Sequence, residues 1–118
     1  MMVGTHRLVQ RLPRSEQYWL GPQLNRSALS VASNIAEGYG RDHLGDYLHH
    51  LSIAKGSVTE HETQLLAVRA LYPSRRTEAM ILLALCDEIG RMLRSLSRRL
   101  RARMAPTRAR EAARHPKT

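Results

Sequence analysis

Gln23, Arg26, Ser30, Asn34, Glu37 and Arg41 recur at steps of three and four residues, the spacing that aligns side chains along one side of a helix. Such a stripe could carry catalytic groups, touch a partner, or brace packing. Nucleophilic catalysis needs a hydroxyl or thiol beside a base within hydrogen-bonding reach. Ser30 and Asn34 supply no base, and Glu37 lies among arginines, the setting of a counter-ion. No catalytic residue is assigned. The stripe reads first as a hydrogen-bonded seam between helices or subunits, in which Asn34 and Glu37 pair with Arg26, Arg41 or Gln64. Direct contact with a partner is the alternative.

Two other patterns invite chemistry and fail on spacing. GYGR at 38–41 resembles a glycine-rich phosphate loop, but no strand precedes it and neither the dinucleotide fingerprint nor a P-loop lysine is present. It reads as a helix stop, with Gly38 and Gly40 supplying the left-handed or flexible geometry that ends a helix. The chain has six histidines. His49 and His50 diverge by about 100° on a helix, and His61 lies three turns further on. HETQL at 61–65 has Leu65 where a zinc-binding helix carries its second histidine. No metal and no cofactor is expected within one chain, although symmetry copies around a ring axis could assemble a site. His61 falls on an apolar stripe and reads as a core histidine with a hydrogen-bond partner.

The basic residues are more informative. Arg91, Arg94, Arg98 and Arg101 form a ladder at three- and four-residue steps, flanked by Arg99, Arg103, Arg108 and Arg110; beyond Arg91 only Glu111 opposes them. With a net charge of +9 and a pI near 11.0, these eight arginines are the candidate phosphate-backbone contacts, sequence-independent and salt-sensitive. Without interleaved aromatics, base stacking is not the expected mode. A merely solvated arginine face is the competing reading.

The elements that position these residues are helical. Val3, Leu8, Val9 and Leu12 suggest a short first helix closed by Pro13. Leu24, Ala28, Val31, Ala32, Ile35 and Tyr39 give a second, from Leu20 to Tyr39, with Pro22 in its first turn. A third spans His43 to Leu71, capped by Asp42, with an inward stripe from Leu44 to Tyr72. Its Gly56 and Ser57 imply close approach of a neighbouring helix, because mid-helix glycine otherwise costs about 1 kcal/mol. Ser74 is the expected cap of a fourth helix, 75–104, whose Leu82, Leu85, Ile89, Met92, Leu93, Leu96 and Leu100 point inward. AMILLALC at 79–86 is apolar all round, as for a helix between several neighbours.

The expected fold is therefore all-α: an antiparallel up-down four-helix bundle with a short first helix over residues 1–104, and a basic disordered tail over 105–118. At 118 residues, 42% hydrophobic but only 4% aromatic and without Phe, the chain suits one aliphatic helical core. One cysteine, Cys86, makes no internal disulfide, and no segment has the apolar length of a secretion signal or a membrane span. A cytoplasmic protein with no membrane partner is expected.

The runs QLNRSALSVASNIAEGYGR and YLHHLSIAKGSVTEHETQL resemble the bacterial four helix bundle protein family. That family includes proteins encoded by intervening sequences in 23S ribosomal RNA genes (the S23 family), and the accessory variability proteins of diversity-generating retroelements are related to them. The likeness covers Gln23 to about Leu66, and more weakly EIGRMLRSL at 88–96. It implies a non-enzymatic homopentamer with a basic surface; in the retroelement branch, RNA or DNA and a reverse transcriptase are partners. The family positions fall on Gln23, Arg26, Ser30, Asn34, Glu37, Gly38, Arg41, Gly56, Ser57, Glu60, Glu62 and Gln64, which adds Glu60 and Glu62 to the seam. The chain departs from the pattern in a shorter segment ahead of Pro13, which places the true start upstream of Met1 or makes the first helix short. His43 stands where a capping serine is usual, and His50 and His61 replace Phe- and Leu-like residues.

Overall fold

The computed structural model describes residues 1–114, with side chains through Met104. All its elements are helical: α1 Met2–Gln10, a 3-10 turn Arg14–Tyr18, α2 Leu20–Tyr39, α3 Leu44–Leu71, a second 3-10 turn Pro73–Arg75, and α4 Arg76–Arg114. α2 packs along α3 and α3 along α4, while α1 lies against α2 and α4. The core is aliphatic: Leu8, Leu24, Val31, Leu51, Val58, Leu65, Val68, Leu82, Leu93 and Leu100 are all buried. Ala54, Ala79 and Cys86 sit among them with no exposed surface.

Several caps differ from expectation. α3 begins after His43, which makes no side-chain cap bond, so Asp42 is not its cap. α4 begins at Arg76 behind a 3-10 turn, not at a Ser74 cap; Pro73 fits the tight turn and makes the cap unnecessary. Neither Gly38 nor Gly40 has a positive φ. Gly40 ends α2 with φ −80° and ψ 0°, and Gly38 lies inside the helix. α4 continues past Met104 to Arg114, so the helix reaches into the expected tail; residues 115–118 lie outside the described ones.

Burial corrects four apolar assignments. Val3, Tyr39 and Met92 are largely exposed, and so are Met80 and Ile81 within AMILLALC. That run is not enclosed: Ala79, Leu82 and Cys86 face the core while Met80, Ile81 and Ala84 face out. Hydrophobicity alone does not say which side of an all-apolar run has a neighbour.

The close helix approach expected at Gly56 occurs elsewhere. A Cβ added at Gly56 would meet nothing within 4 Å, whereas one at Gly38 would lie 3.0 Å from Tyr47 Cδ1 and His50 Cβ and 3.2 Å from the Tyr47 carbonyl oxygen. Gly38 thus lets α2 and α3 converge, while Ser57 alone of the expected pair is buried at the helix contact. Gly38→Ala is expected to lower stability by about 1–2 kcal/mol through overpacking, and Gly56→Ala to raise it by up to about 1 kcal/mol through helix propensity. Urea unfolding followed by circular dichroism reads both, and equal signs for the pair would contradict this packing.

Candidate functional site

α2 has two buried sides. Its apolar stripe, Leu24, Ala28 and Val31, faces α1 and α4. Its polar stripe turns onto α3, which is why Ser27, polar by sequence, is only 2% exposed. The polar side chains there satisfy one another, as buried polar groups must.

The deepest group is His61 of α3, fully buried together with Thr5 of α1. His61 Nε2 lies 3.0 Å from Thr5 Oγ1 and Nδ1 lies 2.6 Å from Ser27 Oγ. The Ser27 hydroxyl has one proton and two carbonyl-type acceptors, Gln64 Oε1 at 2.7 Å and Leu24 O at 3.1 Å. His61 Nδ1–H therefore donates to Ser27, and Nε2 accepts from Thr5. From Ser27 the chain runs outward: Gln64 Nε2 donates to Glu60 Oε1 at 3.2 Å, and Arg26 donates to the same oxygen at 3.3 Å and also to Gln23 Oε1. A serine and a histidine this close suggest a nucleophile and its base. Here the facing histidine nitrogen holds its proton and has no lone pair for the serine, and both groups are sealed in the core.

Further along the same contact, Ser30 meets Ser57 at 2.7 Å, and Asn34 Nδ2 donates to the Ser30 carbonyl oxygen at 2.9 Å. His50 Nδ1 donates to Asn34 Oδ1 at 3.1 Å. Glu37 pairs with Arg41 one turn on, at 3.1 Å. The structure thus joins Gln23, Arg26, Glu60 and Gln64 in one cluster and Ser30 and Asn34 in another. Glu37 and Arg41 pair only with each other, within α2. Asn34 binds His50, not the expected Arg26, Arg41 or Gln64. Glu62 stands apart from the seam on the side of α3 that faces Cys86, whose thiol is pushed up to about 11, chiefly by burial and then by the Glu62 charge. Sequence reading missed Thr5, Ser27 and His50 as members; a polar residue one helical turn from another in the stripe was the available signal for Ser27.

The arginine ladder is exposed on α4. Arg91, Arg94, Arg98 and Arg101 line one cleft of about 590 Å³ together with Lys55 of α3 and Ser95. Lys55 comes from another helix, so α4 periodicity could not reveal it. Arg99 and Arg103 project from another side of α4, toward Met92, as their helical phase requires. Arg108 and Arg110 lie outside the residues with described side chains. Among the described residues Arg91 has a carboxylate partner, Asp87 at 2.9 Å, and no three histidine, cysteine or acidic residues gather for a metal.

This architecture defines an all-helical, helix-packed chain whose polar groups between α2 and α3 pair with one another and whose exposed arginines cluster on one long helix. A family model described as 23S rRNA-intervening sequence protein matches residues 1–95, and the chain belongs to that family. No curated protein matches it.

Burial drives His61 down to about 4 from 6.5, with the Met1 α-ammonium adding to the effect. Between these values the unfolded chain binds a proton that the folded chain refuses, so stability falls as pH drops from 6.5 toward 4 and is unaffected by this group above 6.5. Unfolding free energy at pH 5 is expected to be about 2 kcal/mol below that at pH 7. In His61→Gln, which keeps an amide in place of the ring, that difference shrinks to what the remaining groups contribute. A wild-type difference retained in full by the variant would locate the titration elsewhere.

Proposed function

We propose that this protein is a non-enzymatic, oligomeric helical bundle that binds nucleic acid through the basic face of α4. The observation that carries the reading is the cleft where Arg91, Arg94, Arg98 and Arg101 converge with Lys55. Five cations from two helices, of which Arg91 pairs with Asp87, give the cleft the sign that a phosphate backbone requires. RNA and DNA are equally served, since such contacts carry no base information.

Within the chain the helices run up and down in antiparallel order, because residues 40–43 and 72–75 are too few to return the chain along the bundle. A homopentamer, the assembly implied by the family resemblance, is supported by the outward-facing Met80 and Ile81, apolar side chains that an interface would cover. Among the described residues no helix is long and apolar enough to cross a membrane, and the unpaired Cys86 suits a reducing cytoplasm. A second reading is an adaptor that docks a reverse transcriptase or another acidic protein without touching nucleic acid. The same exposed arginines favour it.

Filter binding of a labelled RNA and a labelled DNA duplex across a salt series separates the two. Affinity is expected to fall steeply and linearly against log salt, and Arg94→Gln, Arg98→Gln and Arg101→Gln together should flatten the slope by about 2–3 units. Absence of binding at low salt would leave the adaptor. Light scattering at micromolar concentration tests the assembly separately, and a monomer there would remove the pentamer while leaving the bundle.

A further inference from the structure

The five cations of the Lys55 cleft are not equivalent. Among the described residues Lys55, Arg94, Arg98 and Arg101 form no ion pair, whereas Arg91 is held by Asp87 at 2.9 Å. Asp87 lies one turn ahead of Arg91, with the acid on the N-terminal side, the favoured order for such a pair on a helix. Both side chains stand in water, 68% exposed for Arg91 and 66% for Asp87.

Asp87 also marks a boundary along α4. Glu78, Asp87 and Glu88 precede Arg91, and no acid falls between Arg91 and Arg110. Asp87, Arg91, Arg94, Arg98 and Arg101 follow one another at steps of four and three residues, so the carboxylate shares the side of the helix that carries the cleft arginines. Glu88 has the same charge but points about 100° away around the helix, and it forms no ion pair among the described residues.

A phosphate that reaches Arg91 must displace an anion already seated there, and it then lies close to that anion's charge. Arg94, Arg98, Arg101 and Lys55 impose no such cost. We infer that Asp87 acts as a built-in phosphate mimic on Arg91 and sets the outer limit of the nucleic-acid site, so that the phosphate track begins at Arg94 and Lys55 and runs toward the C-terminal end of α4. This inference rests on the nucleic-acid reading proposed above. A hydrated pair of this kind contributes little to the stability of the fold, so removing it changes binding and leaves the bundle intact.

The probe is a labelled RNA duplex, titrated with the full-length protein by fluorescence anisotropy across a salt series. Asp87→Asn is expected to tighten binding about three- to fivefold at low salt and to steepen the slope against log salt by about one unit, the share of one added phosphate contact. Glu88→Gln, which removes the same charge one residue on, should leave the slope at its wild-type value. Arg91→Gln should flatten the slope less than Arg94→Gln does, and Asp87→Asn should have no effect on the slope once Arg91 is Gln. Equal effects of Asp87→Asn and Glu88→Gln would reduce the result to net charge and overturn the inference. So would an Asp87→Asn effect that persists undiminished in the Arg91→Gln background. Wild-type binding whose slope depends on Arg94, Arg98 and Arg101 but not on Asp87 removes the inference alone, whereas no RNA binding at low salt removes the nucleic-acid reading with it.

Discussion

The structure turns on a neutral imidazole. His61 reaches from α3 to Thr5 on α1 and to Ser27 on α2, so one side chain ties three helices at a single depth. An aliphatic residue there would fill volume but fix neither rotation nor register, because hydrophobic contacts are non-directional. Two hydrogen bonds in a low-dielectric core do fix them, provided every donor and acceptor is matched. The match also holds the ring neutral: a second proton on His61 would leave Thr5 unable to donate and would place an uncompensated charge among leucines.

From that point the polar contact widens toward solvent. The Ser27 hydroxyl donates to Gln64, Gln64 donates to Glu60, and Glu60 also accepts from Arg26. Charge appears only where water can solvate it: the Arg26–Glu60 pair is half-exposed on both partners, and such pairs add little stability. The inner members restrict geometry and the outer ones keep the seam satisfied. A second set, Ser30 with Ser57 and Asn34 with His50, repeats the arrangement two turns away, where Gly38 lets the backbones draw together.

Spending the polar side of α2 on α3 leaves its apolar side to be shared by α1 and α4. An open apolar groove lined by Ile35 and Met92 runs between α2 and α4. On α4 the charge is sorted by helical phase: Arg94, Arg98 and Arg101 line the cleft with Lys55, Arg99 lines the apolar groove, and Arg91 borders both. One helix thereby presents two basic edges with different neighbours, one polar and one greasy.

Helix content, the limits of α2 and α3 and most of the inward stripe were legible in the sequence, because a 3.6-residue period is a local property that any single helix displays. The Arg26-to-Arg41 stripe and the arginine ladder were legible for the same reason. What each face meets was not. Ser27 and His50 became seam members, Glu62 turned away, Lys55 joined the arginines, and the close approach moved from Gly56 to Gly38, all through contacts between residues distant in the chain. Sequence periodicity determined which side chains share a face. Only the packing of α2 between α3 and the α1–α4 pair decided which of those faces lost its water, and hence which polar groups had to find partners inside the protein.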